Sequence, residues 1–156
     1  MDAWWLPGVR KRNKQFNSLT IYQFKNMNIL GIDFGTKNIG LAWVDTGFGA
    51  VLPYGLIKEV KGKTKAGQLA DLIKEERIEK VVIGLPVSLR GGEENKNTER
   101  IRAFVEEIKG VVDVPIEFMN EMFSSQQADR MGGGASRDEK SAMIILEDYL
   151  ARRVSS

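Results

Sequence analysis

The seven residues KVVIGLP at positions 80–86 constrain the fold of this chain more than any other stretch. They form a continuous β-branched apolar run that stops at Pro86, the pattern of a strand buried on both faces. Such a strand needs a partner on each edge and helices above and below. The flanking sequence supplies both. NILGIDF and IGLAWVDT are joined by Gly35-Thr36-Lys37-Asn38, and AVLPYGLIKEV follows the turn GFG. Three short strands with tight turns predict an antiparallel meander. KAGQLADLIKEERI sets Leu69, Leu72, Ile73 and Ile78 on a helical stripe. After the polar stretch VSLRGGEENKN, read as a loop, Ile101, Phe104, Val105 and Ile108 give a second helix its apolar face. VPIEFMNE reads as a fifth strand, and SSQQADRM as a short helix ending in Gly132-Gly133-Gly134. The final helix, SRDEKSAMIILEDYLARRV, opens with Ser136 and Glu139 at capping-box spacing, which puts Asp138 in its first turn. Met143, Ile144, Ile145 and Leu146 are expected in the core, Trp43 against a helix, and the small Ser141 and Ala142 where this helix nears the sheet. The order βββαβαβαα predicts an α/β domain: a mixed five-stranded sheet, three strands in a meander and two parallel, with helices on both faces.

The chain has 156 residues with neither Cys nor His. Disulfides, imidazole or thiolate zinc sites, Cys nucleophiles and His-based relays are therefore excluded. Chemistry is left to carboxylates, Lys, Arg, hydroxyls or a metal held by oxygen. The formal charge of +2 is uneven. Residues 1–26 carry five basic side chains against Asp2, while residues 27–156 carry 18 basic and 20 acidic ones. Any grip on nucleic acid by the main domain must then come from local patches or bound cations. Residues 1–26, with Trp4, Trp5, Pro7 and a basic cluster, show no sustained period. They read as a loosely ordered extension ahead of a domain spanning 27–156, with Met27 a plausible initiator and a basic nucleic-acid arm the functional alternative. No apolar run approaches the ~18 residues of a membrane span. Apolar residues precede basic ones at the start, the reverse of a secretory signal, so a cytoplasmic location without membrane attachment is expected.

Asp33 is the anomaly in this pattern. An acid inside ILGIDFG is costly to bury without a counter-charge. One reading makes it a ligand; the other makes it a turn carboxylate bonding the amides of Gly35 or Thr36. Thr36, Lys37 and Asn38 stand in the turn beside it, where they either touch a substrate phosphate or face solvent. Arg90, with Gly91 and Gly92, sits in the stretch after Pro86, where a loop can clamp substrate. Arg100 and Arg102 are expected to face solvent.

Four blocks, LGIDFGTKNIGLAW, VVIGLPVSLRGGEENKNTERIRAF, NEMFSSQQA and RDEKSAMIILEDYL, resemble in order and spacing the YqgF-type (RuvX) family of Holliday junction resolvases. The resemblance covers most of residues 27–150. It implies a ribonuclease H-like fold and a nuclease acting on structured nucleic acid, either branched DNA or the precursor of small-subunit ribosomal RNA. It also implies a site of three acids, which are Asp33, Glu121 and Asp138 here, with Glu139 the alternative to Asp138. Where the family has Asp-Glu-Arg this chain reads Asn120-Glu121-Met122, so an arginine suited to a substrate phosphate is missing. Such an acid cluster suits Mg²⁺ or Mn²⁺, and no soft ligand competes for zinc. Junction cleavage would need two copies, a homodimer, whereas trimming an RNA end needs a monomer. Two other functions compete: a non-catalytic nucleic-acid or ribosome-assembly binder, invited by Met122, and an ATP-binding lobe, since GIDFGT is similar to the first phosphate loop of the actin and heat-shock ATPases.

Overall fold

A computed structural model describes residues 26–35, 37–86, 91–121 and 128–155, the side chains at 86, 91–97, 121, 154 and 155 excepted. KVVIGLP is a central strand. The elements run β1 (Asn28–Phe34), β2 (Ile39–Asp45), β3 (Val51–Ile57), α1 (Lys65–Glu75), β4 (Lys80–Pro86), α2 (Gly91–Lys109), β5 (Ile116–Glu121) and α3 (Arg137–Ser155). Five strands form one sheet in the order β3-β2-β1-β4-β5. β1, β2 and β3 make the antiparallel meander, and β4 and β5 lie parallel to β1. The predicted mixed sheet is what the chain folds into.

Both faces of the central strands are covered. On one, Leu30, Ile32, Leu41, Val81 and Ile83 pack against Leu69 and Ile73 of α1 and Ile101, Val105 and Ile108 of α2. On the other, Ile29, Ala42, Val44 and Val82 pack against Ala142, Ile145, Leu146 and Tyr149 of α3. Trp43 is partly buried against the first cluster and Met143 against the second. α1 begins at Thr64, whose hydroxyl accepts from the Gly67 amide at 3.0 Å. α3 begins with the predicted reciprocal cap: Ser136 Oγ accepts from the Glu139 amide at 3.2 Å, and Glu139 Oε1 accepts from the Ser136 amide at 2.9 Å.

One boundary differs from expectation. α2 starts at Gly91, inside the stretch read as a loop. Gly91, Gly92, Asn95 and Asn97 are weak helix formers, so local propensity points away from the helix. Among its described side chains, the apolar stripe from Ile101 onward seats it in the core. The proposed short helix at 124–131 falls largely outside the described residues, as do residues 1–25.

Candidate active site

The site begins with how the end of β1 is made. Side chains alternate along the strand, so Ile29, Gly31 and Asp33 share the face covered by α3, and Leu30 and Ile32 share the other. Asp33 is flanked in register by Gly40 of β2 and Gly84 of β4. A methyl group at Gly40 would lie well under 3.0 Å from the backbone carbonyl of Asp138, and one at Gly84 equally close to Ile145. Glycine in a strand interior weakens it but admits a close neighbour. Here the neighbour is α3, whose first turn rests on the β1–β2 corner.

That close approach brings Asp138 to Asp33. Burial of the Asp33 carboxyl, reinforced by the negative charge of Asp138, raises its pKa from the ordinary 3.8 to about 6. Neither a cation nor a hydrogen-bond donor among the described groups offsets this. Asp138 also stands by the turn after β1, its Oδ1 3.9 Å from where a Gly35 Cβ would lie. The Gly35 amide donates to the Asn38 carbonyl at 3.1 Å. It is therefore engaged by the turn itself, and the reading of Asp33 as an acceptor for that amide is not what the structure contains. Glu139 is held by the helix cap, so Asp138 is the acid that faces Asp33.

The other proposed residues distribute as follows. Glu121 ends β5, its backbone paired with Pro86 and two residues beyond Met119, which is level with Gly84 and Asp33. Its side chain lies outside the described residues, as do Thr36 and Arg90 altogether. Among the described residues no group of three or more acids assembles. Lys37 is exposed, and its carbonyl accepts from Lys65 Nζ at 2.5 Å, which ties the turn to the start of α1. Asn38 closes the turn. The three strand glycines, Gly31, Gly40 and Gly84, were not singled out from sequence, although glycine inside strand patterns is a signal of close backbone approach.

Comparison with known proteins follows the same outline. A family model described as RuvX, Holliday junction resolvase, matches residues 27–152. A protein of Dictyoglomus turgidum, provisionally named a pre-16S rRNA nuclease, is 39% identical over 135 residues, covering 80% of this chain and 94% of its own length. A protein of Maridesulfovibrio salexigens with the same provisional name is 36% identical over 135 residues, covering 81% and 99%. Among solved structures, Thermus thermophilus RuvC in complex with a Holliday junction substrate aligns with a TM-score of 0.58 at 17% identity, over 82% of this chain and 96% of that one. The ribonuclease H-like fold of RuvC is thus the fold of this chain.

Proposed function

Because the chain belongs to the RuvX family, described as Holliday junction resolvases, we propose that it is a metal-dependent nuclease hydrolysing phosphodiester bonds in structured nucleic acid at Asp33, Asp138 and Glu121. One observation carries the reading. Two acids far apart in the chain are pressed together at the end of a central strand, over two glycines, with no partner among the described residues that relieves their charge. The first turn of α3 suits Asp138 by itself, but setting it against Asp33 gains structure nothing, since like charges brought together out of water oppose folding.

The donor set fits hard divalent cations: carboxylate oxygens only, in a chain without imidazole or thiol. When bound, such ions supply charge neutralisation at the phosphate and a nucleophilic water near neutral pH. The protein's own part is placement. β1 fixes Asp33 in the middle of the sheet, and the capped first turn of α3 fixes Asp138 beside it. Position 121, at the end of a parallel strand on the far side of β4, is the third ligand. With its pKa near 6, Asp33 gives up its proton just below neutrality and is then ready to hold a cation. In this reading Lys37 and Asn38, in the turn after β1, orient substrate phosphates by charge and hydrogen bond, and Thr36 and Arg90, outside the described residues, are assigned the same role.

Cleavage assays with Mg²⁺ or Mn²⁺ test this, using a four-way DNA junction and a 5′-extended 16S rRNA precursor fragment. Asp33→Asn and Asp138→Asn should each reduce cleavage below detection while the circular dichroism spectrum stays native. Undiminished cleavage by either variant would remove that acid from the site. Cleavage of one substrate alone identifies the physiological class.

A further inference from the structure

Helix α2 carries two arginines on the flanks of its apolar stripe, each lying over a phenylalanine of the sheet. The Arg100 guanidinium is 6.0 Å from the centroid of the Phe34 ring, and that of Arg102 is 5.5 Å from Phe118. Both side chains are exposed, and neither forms an ion pair among the described residues. Stacking uses the face of a guanidinium and leaves its N–H edge free, the edge that matches a phosphate in a two-pronged hydrogen bond.

The two arginines differ in where they stand. Phe34 directly follows Asp33 and closes β1, whereas Phe118 is level with Ile83 and Ile32, two residues deeper in the sheet. Phe34 is itself fixed, its ring 4.9 Å from that of Phe104. Arg100 is thereby held at the rim where β1 ends. A second cation continues the line. Lys65, bonded to the Lys37 carbonyl, lines with Phe104 a cavity of about 600 Å³ between the β3–α1 connection and α2. Arg100, the Phe34–Phe104 pair and Lys65 form one strip running from the end of β1 into that cavity. Glu59 and Glu107 also line the cavity, so a phosphate belongs at the Arg100 end of the strip. Phe34 and Arg100 lie on the α2 face and Asp33 on the α3 face, so the two meet only at the edge where β1 ends. A polyanion crossing that edge toward two unbalanced acids needs a cation on its way.

We propose that Arg100 anchors a phosphate of the nucleic-acid strand flanking the bond to be cleaved, with Lys65 next along its path. The assignment rests on the nuclease reading only for which bond is cleaved; the anchoring itself is a matter of binding. Arg100→Met, which keeps an apolar cover on Phe34, is compared with Arg102→Met and wild type. Equilibrium binding of the labelled junction and the labelled precursor fragment is measured in EDTA between about 50 and 200 mM salt. Arg100→Met should weaken binding about tenfold and flatten the slope of log K against log salt by about 0.7–0.9, one phosphate contact. Arg102→Met should stay within about twofold of wild type. Wild-type binding by Arg100→Met, or an equal loss in Arg102→Met, overturns the proposal. If Arg100→Met also melts markedly lower, Arg100→Lys decides: a restored salt slope supports the anchor and an unrestored one overturns it. A wild type that binds but never cleaves rejects the nuclease reading alone, and intact cleavage with no Arg100 effect rejects the anchor alone.

Discussion

Two acids lie under α3 at opposite ends of the same sheet face, and they are treated in opposite ways. At one end, Glu117 of β5 accepts from Tyr149 at 2.9 Å and pairs with Lys80 Nζ at 2.7 Å, while Lys80 in turn donates to the Tyr149 hydroxyl at 3.1 Å. Burial alone would raise the Glu117 pKa, yet the hydrogen bonds from Lys80 and Tyr149 hold it below the ordinary carboxylate value. At the other end, among the described groups, Asp33 meets desolvation and a second carboxylate, and its pKa goes up. The Glu117 cluster stabilises the fold; the Asp33 pair opposes it, and a fold keeps such a pair where a ligand relieves it. Substitutions at the two ends can break this contrast or sharpen it.

The largest effect belongs to the close approach that creates the acid pair. Gly40→Ala places a methyl against backbone of Asp138, which cannot rotate away. Displacing the first turn of α3 in this way should cost about 3 kcal/mol or more, beyond the usual range for an overpacked site, as read by urea unfolding. Gly84→Ala meets the side chain of Ile145, its Cδ1 tip and the Cγ1 behind it, rather than backbone. It should cost about 1–3 kcal/mol, and Ile145→Val should recover part of that loss in a double-mutant cycle. Equal costs for Gly40→Ala and Gly84→Ala would mean that α3 is not seated on the β1–β2 corner as described.

Removing the charge of Asp33 should raise stability, and the sign depends on pH. Well below the ordinary 3.8 the carboxyl is protonated both folded and unfolded, so it contributes no penalty. Between 3.8 and about 6 the unfolded chain ionises first, and stability falls as pH rises. Above about 6 the whole penalty is present, at most about 3 kcal/mol. Asp33→Asn should therefore stabilise the metal-free protein by up to about 3 kcal/mol at about pH 7 and leave it almost unchanged at about pH 3.5. Saturating Mg²⁺ should narrow the gap at neutral pH by stabilising wild type alone. If Asp33→Asn instead proves less stable than wild type at neutral pH, Asp33 has a partner after all.

Much of this arrangement was legible from residue order, and the remainder fails for definite reasons. Strand β4 announces itself through its continuous apolar run, β1 through an apolar run that Asp33 interrupts, and α3 through its cap and the IIL segment. Asp33 was conspicuous because a charge interrupts a buried pattern. Asp138 rather than Glu139 was the choice the family blocks implied, and the cap predicted from Ser136 and Glu139 is what takes Glu139 out of contention. Gly40 and Gly84 gave no signal in the sequence of their role toward α3, because the helix they accommodate lies far along the chain. Arg100 and Arg102 read as solvated, which they are; helical spacing does not show that an aromatic ring lies beneath each.

The smallest effect tests the satisfied end. Tyr149 is almost wholly buried, and its hydroxyl links Lys80 to Glu117. Tyr149→Phe keeps the ring, its packing and its place beside the Arg153 guanidinium, and removes the hydroxyl's bonds to Lys80 and Glu117. The Lys80–Glu117 pair survives, with one of its supports removed. A single hydrogen-bonding group is worth about 0.5–1.5 kcal/mol, and this cluster is partly open to water, so the loss at neutral pH should fall in the lower half of that range. Because the bond helps to depress the Glu117 pKa, the loss should be present above the ordinary value of 4.5 and fade as pH falls through the folded value below it. This is opposite in sign to Asp33→Asn, whose gain grows as pH rises through its own window. Stability of the two variants measured from about pH 3 to about pH 8 should thus diverge with rising pH, one gaining on wild type and the other falling behind. Parallel curves would mean that the two ends of the face are electrostatically alike.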